Sequence, residues 1–241
     1  MPAIPDGRWP PALSRNHPTL SAREQERLLG ATAAVVGLGG LGGYLATLLA
    51  RAGVGRLVLA DGDCYEPSNL NRQILATTAT LGRNKARVTA EFCRSVNPSL
   101  EVTVREEHFH PDRGEAFLRG VDAVLDGLDS IPARKALFAA ARARKIPYVH
   151  GAVSGWSGQT TTFLPEGAFS LDHVYPGEIP PAAAPPSVLG PVVAVIAGFQ
   201  ALEAIRILCG SPPANAGTLV FFDGVEISLH KVNLRPGDLA R

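Results

Sequence analysis

Cysteine is scarce. The 241 residues hold three, Cys64, Cys93 and Cys209, and no two of them form a CxxC pair. This argues against a disulfide framework and a four-cysteine zinc site, and leaves buried or incidental thiols of a reducing compartment. Charge of one sign is also missing, since Lys and Arg number 23 against 22 for Asp and Glu, a formal net charge of +1. Without a basic footprint, capture of nucleic acid or of an anionic membrane is not expected, and partner choice falls to local patches. The opening MPAIPDGRWPPALSR has no apolar run behind a basic segment. Neither a secretory signal nor a membrane anchor is expected, and a cytoplasmic location follows. There is no internal repeat, and the one biased stretch is rich in proline and alanine, at 176–186.

What is present is enough apolar material for a core, 46% of the chain, in a length that suits one α/β domain. Residues 1–14, with four prolines, look like an arm, and 15–241 like a single domain. A nucleotide-binding half is expected over about 30–150 and a crossover with a C-terminal half over about 151–241. Ser21 is placed to cap a short helix over 21–29. Residues 33–36 form a small apolar strand that runs into GLGGLGG and the helical stretch YLATLLARAG. A second strand at 56–60 ends at Asp61, 24 positions after Gly37. After a loop come a helix at 85–95, an alternating strand at 101–109, a buried strand at 121–125, a helix at 133–144 and a strand at 147–150. This alternation predicts an α/β, doubly wound, mostly parallel sheet of Rossmann-like type. The last third is mixed: a strand GQTTTFLP, a mobile crossover at 176–186, a long apolar helix at 191–209, and a hairpin TLVFFDGVEISLHKV turning at Asp223 and Gly224.

Gly37, Gly39 and Gly42 satisfy G-x-G-x-x-G between a strand and a helix, where backbone N–H groups can approach a phosphate. Asp61 is placed to accept from a ribose hydroxyl. These features alone suit a nicotinamide or flavin enzyme equally well. The two cations that follow, Arg72 in SNLNRQ and Lys85, favour ATP, because attack of a carboxylate on an α-phosphate builds charge on phosphoryl oxygens and expels pyrophosphate. Asp129, with Asp126 as the weaker candidate, offers hard oxygen for Mg2+. Each has a plainer reading: surface cations for Arg72 and Lys85, and caps of the helix near Pro132 for the two aspartates.

The ordered set of Arg15, GLGGLG at 37–42, AGVGRLVLADGD at 52–63, SNLNRQ at 68–73, GRNKA at 82–86, DGLDS at 126–130 and GPVVAVIAGFQALEAIRIL at 190–208 resembles the ThiF/MoeB/HesA adenylyltransferases, relatives of the adenylation domain of ubiquitin-activating enzymes. The resemblance covers roughly residues 15–210. It implies ATP held by Gly40, Asp61, Ser68, Asn69, Asn71, Arg72, Gln73, Lys85 and Asp129, with Ser130 where the family usually has asparagine. It implies that Arg15 reaches the triphosphate of a neighbouring subunit, hence a homodimer. It also implies a ubiquitin-like sulfur-carrier protein ending in Gly-Gly, activated as an acyl-adenylate. Two departures stand out. Without CxxC pairs zinc is not expected, and with no cysteine in 176–190 no catalytic thiol is assigned, so the adenylate would be released as such. Competing readings are an NAD-dependent oxidoreductase, a non-catalytic scaffold, and a relative that adenylates a small carboxylate or a tRNA base.

Overall fold

The computed structural model describes residues 4, 9–177 and 187–234. Its eight strands are β1 Thr32–Val36, β2 Arg56–Ala60, β3 Glu101–Arg105, β4 Ala123–Asp126, β5 Tyr148–Ser154, β6 Ser157–Phe163, β7 Thr218–Asp223 and β8 Ser228–Asn233. They form one sheet in the order β3-β2-β1-β4-β5-β6-β7-β8. The first five run parallel, and β6 to β8 are added antiparallel. The helices are α1 Ala22–Gly30, α2 Gly40–Ala52, α3 Lys85–Val96, α4 Gly114–Phe117, α5 Ile131–Ala143 and α6 Gly190–Leu208. The predicted Rossmann-like sheet with a mixed C-terminal portion is thus the observed one.

The strand β1 shows why the sheet is covered on both faces. Every one of its residues is buried. Ala33 and Val35 join the core with α2 and α6, while Ala34 and Val36 join the opposite core, with Leu137 and Phe138 of α5. The edge strand β3 buries little, which explains its alternating sequence, and it ends at Arg105, so 106–109 leave the sheet. Helix α1 opens with a reciprocal cap: Ser21 N–H donates to Glu24 Oε2 at 2.8 Å, and Glu24 N–H to Ser21 Oγ at 3.3 Å.

Helix α6 is long and apolar enough to cross a membrane by composition alone. Here it buries Val193, Ile196, Ala197 and Ala204 in the core it shares with α2. Two buried polar residues fasten it to the sheet. Gln200 Nε2 donates to the Asp126 carbonyl at 3.0 Å and the Val149 carbonyl at 3.2 Å. Glu203 accepts from Ala214 N–H, Asn215 N–H and the Thr162 hydroxyl. Strand β5 runs beyond the predicted 147–150 because it turns straight into β6 at Gly155 and Trp156, pairing Ser154 with Ser157. Gly151 within it is required, since a Cβ there would collide with the Gln200 amide. The hairpin loop spans 224–227, and Asp223 Oδ1 accepts from Val225 N–H at 2.8 Å. The predicted arm boundary falls inside a 3-10 turn, Pro11–Asn16. Of the predicted crossover, residues 178–186 lie outside the described residues.

Candidate active site

The chain leaves β1 toward β2 and β3 and returns to β4 on the other side of β1, so a crevice opens above the carboxyl ends of β1 and β4, where α/β sheets bind ligands. A cleft of about 720 Å³ lies there. Its floor is a contact of two backbones. Gly37 has φ +82°, and a Cβ on it would stand 2.7 Å from the Gly127 carbonyl carbon and oxygen. Gly127 N–H donates to the Val36 carbonyl at 2.9 Å, locking the ends of β1 and β4 together. Gly42, in the first turn of α2, faces the Gly37 carbonyl so closely that no side chain fits between them. The helix start is thereby pressed onto the turn, its amide end toward the cleft.

Asp61 ties this turn to the next strand end. Its Oδ2 accepts from Leu38 N–H at 2.6 Å and its Oδ1 from Asp63 N–H at 2.8 Å. Burial pushes its carboxyl pKa up, against the pull of those two N–H groups. A carboxylate has about four acceptor sites, so both oxygens retain capacity for a ligand hydroxyl. Lys85 starts α3, where the Asn84 side chain caps the helix and donates to the carbonyls of Asp61 and Asp63. Its ammonium, almost fully buried, lies 3.0 Å from Asp63 Oδ2, and His108 Nε2 stands 3.5 Å from Oδ1 of the same aspartate. Arg72 Nη1 donates to the Ser68 carbonyl at 2.8 Å and to Asn71 Oδ1 at 3.0 Å. Opposite them, Asp129 and Ser130 stand at the mouth of β4, and the Ser130 hydroxyl caps α5 through Ala133 N–H. Asp129 is exposed and, among the described residues, pairs with no cation or backbone donor.

Gly37, Gly39, Gly40, Asp61, Arg72, Gln73, Lys85, Asp129 and Ser130 all line this cleft. Four other predicted nucleotide contacts do not, and their surroundings explain why. Gly42 serves the close packing just described. Asn69 is buried, with Oδ1 accepting from Glu66 N–H at 3.1 Å in its own 3-10 turn. Ser68 and Asn71 support Arg72 from behind, and Asn71 also donates to the Val188 carbonyl at 3.2 Å. Asp126 is corrected as a metal candidate. It is wholly buried, with Oδ2 2.7 Å from Arg134 Nη1 and 2.8 Å from His150 Nδ1, and Oδ1 accepting from Leu128 N–H at 3.0 Å. Burial acts to raise its pKa, but the Arg134 guanidinium and the His150 N–H outweigh it and hold the carboxyl below the usual range. Arg15 lines a separate cavity of about 710 Å³ between the N-terminal 3-10 turn, α6 and the β7–β8 hairpin.

The sequence reading missed Asp63, His108, Phe109 and Arg134, which also line the cleft. The second aspartate of DGD could have been found as the natural partner of Lys85. His108 and Phe109 were hidden in a stretch taken as strand. Arg134 carries a weaker signal, an arginine in the first turn of a helix facing back on the preceding strand end.

The cleft fits a nucleotide and a magnesium ion on its own chemistry. The Gln73 amide lies beside Gly39, and its buried Oε1 has no donor among the described residues, an acceptor that a ligand N–H or O–H would satisfy. Among the described residues no three His, Cys, Asp or Glu side chains form a metal cluster. A single free carboxylate suits an ion that takes its other ligands from phosphates and water.

The sequence pattern of the ThiF family matches residues 13–238. The chain belongs to the ThiF family. Among similar proteins, the SAMP-activating enzyme E1 of Haloferax volcanii is 35% identical over 215 residues, spanning 88% of this chain and 79% of the relative. The sulfur carrier protein ThiS adenylyltransferase of Escherichia coli is 35% identical over 216 residues, 88% of this chain and 85% of the relative. The mouse adenylyltransferase and sulfurtransferase MOCS3 is 36% identical over 222 residues, but the chain spans only 48% of that longer protein. In fold, this ThiF-family chain matches E. coli MccB crystallised with ATP at a TM-score of 0.78 and 20% identity, over 97% of this chain and 74% of that one.

Proposed function

We propose that this ThiF-family adenylyltransferase activates the C-terminal Gly-Gly carboxylate of a ubiquitin-like sulfur-carrier protein with ATP. The reading rests on one observation: Arg72, Lys85 and Asp129 converge in one cleft with the Gly37–Gly40 turn. The turn and the amide end of α2 would hold the phosphates, and Asp61 the ribose. The carrier carboxylate forms a bond to the α-phosphorus as the bond to the bridging oxygen breaks, and pyrophosphate leaves. Arg72, a planar fork, and Lys85, a compact cation, offset the charge that grows on the phosphoryl oxygens. Asp129 would hold Mg2+, which when bound neutralises phosphate charge. Arg15, remote from the cleft of its own chain, would serve the cleft of a second copy in a homodimer. Cys93 and Cys209 are buried and Cys64 is exposed outside the cleft wall, so the acyl-adenylate is the product released.

The test is exchange of labelled pyrophosphate into ATP, with and without a carrier ending in Gly-Gly. Carrier-dependent exchange that disappears in Asp129→Asn is the expected result. Exchange that needs no carrier, or that survives this substitution unchanged, contradicts the assignment.

A further inference from the structure

From the cleft wall at Arg134 a polar chain, buried at Asp126, Arg134 and His150, runs into the protein, and the proposed chemistry does not use it. Gln159 Nε2 donates to the Tyr175 hydroxyl at 3.3 Å, and that hydroxyl is 3.1 Å from His150 Nε2. His150 Nδ1 is 2.8 Å from Asp126 Oδ2, and the same oxygen meets Arg134 Nη1 at 2.7 Å. The partners fix the roles. Nδ1 carries the proton and donates to the carboxylate, so Nε2 accepts from the Tyr175 O–H. Burial pushes the imidazole pKa down, in keeping with a neutral ring beside Arg134.

The chain ends on one residue of the cleft. Leu128 N–H donates to Asp126 Oδ1 at 3.0 Å, while the Leu128 carbonyl accepts from Arg134 Nη2. Both polar groups of Leu128 are therefore gripped by the two halves of one buried ion pair. The next residue is Asp129, whose side chain has no partner of its own among the described residues. The carboxylate is placed only through the backbone that carries it.

We infer that Arg134, held in place by Asp126, His150 and Tyr175, is a positioning residue for Asp129. The inference rests on the adenylation reading for the identity of the ligand, not for the geometry. An arginine is required because one guanidinium must serve Asp126 and the Gly151 carbonyl through Nη1 and the Leu128 carbonyl through Nη2. A lysine at this position could keep the ion pair but not the second grip. Tyr175 lies just before residues 176–186, where the sequence places the crossover.

Two mild variants test this in the full chain, Arg134→Lys and Tyr175→Phe. The first readout is Mn2+ binding by electron paramagnetic resonance in the presence of a non-hydrolysable ATP analogue, which needs no carrier. The second is affinity for the analogue without metal, and the third is thermal stability. Loss of groups that orient a metal-binding carboxylate typically weakens the ion on the order of 10-fold. Arg134→Lys should show a loss of that size and Tyr175→Phe a loss of a few fold, with metal-free analogue affinity retained. In pyrophosphate exchange the same variants should raise the Mg2+ requirement and leave the KM for the carrier unchanged. Wild-type Mn2+ affinity in both variants overturns the inference, as does an equal fall in metal-free analogue affinity, which would mark a general structural defect. Absence of exchange in the wild type would instead defeat the proposed activity, with the Mn2+ titration still deciding the role of Arg134.

Discussion

Replacing Lys85 with methionine keeps the length of the side chain and removes its charge. The Lys85 ammonium is nearly sealed from water, whereas the Asp63 side chain facing it at 3.0 Å is 54% exposed. A cation about 4 Å from a phosphate oxygen, at an effective dielectric near 20, is worth about 4 kcal/mol. That corresponds to a fall in kcat/KM for ATP of about a thousandfold, at 1.36 kcal/mol per decade. The substitution also leaves Asp63 facing the triphosphate with its charge uncompensated. Because Asp63 is half exposed, solvent limits that repulsion to about 1 kcal/mol or less. Adding Asp63→Asn to Lys85→Met should therefore recover up to about fivefold, whereas Asp63→Asn alone should bring no gain, a non-additive pair. The fold should survive, since a pair with one exposed partner contributes about 1 kcal/mol or less and shifts Tm by only a few degrees. Pyrophosphate exchange at varied Mg-ATP and saturating carrier measures all three variants. A Lys85→Met enzyme within threefold of wild type would refute the role given to this cation.

Gly42→Ala should disrupt nucleotide binding and cost stability, because its Cβ meets the Gly37 carbonyl; Gly82→Ala, with open space and φ +77°, should cost only about 1–2 kcal/mol of backbone strain and leave ATP affinity intact in calorimetric titration. Asp126→Ala should destabilise the protein by about 3–5 kcal/mol in urea unfolding by stranding Arg134, while Asp129→Asn should be near neutral in stability. The Asp126 carboxyl is held below its ordinary value of 3.8, so the stability it contributes is present above that pH and lost as pH falls through the depressed value; acid unfolding followed by circular dichroism should be shallower in Asp126→Asn. Mixing Arg15→Ala with Lys85→Met subunits should restore roughly a quarter of the wild-type exchange if a symmetric dimer pairs the arginine of one copy with the cleft of the other.

The glycine turn and its neighbours were legible because each carries a local chemical signal: a strand running into G-x-G-x-x-G, an acidic residue at the next strand end, and a lysine opening a helix. The parallel direction of the first five strands followed from alternation of apolar strands with helices. What the sequence hid was set by tertiary packing. Asp126 and Asp129 look alike as aspartates after a buried strand, yet only their surroundings separate them: Asp126 turns inward to Arg134 and His150, and Asp129 turns outward. The asparagines of SNLNRQ look like ligand contacts, but Asn69 caps its own turn and Asn71 supports Arg72. Strand β5 was cut short in the sequence because Gly151 interrupts its apolar run, and the reason for that glycine, Gln200, lies on a helix 49 residues away in the chain.

The most direct test is a crystal structure with Mn2+ and a non-hydrolysable ATP analogue, in which anomalous scattering marks the metal. The account predicts a triphosphate over Gly37–Gly40, within reach of Arg72 and Lys85, with the anomalous peak beside the Asp129 carboxylate. A nucleotide bound elsewhere, or a metal peak remote from Asp129, would contradict it.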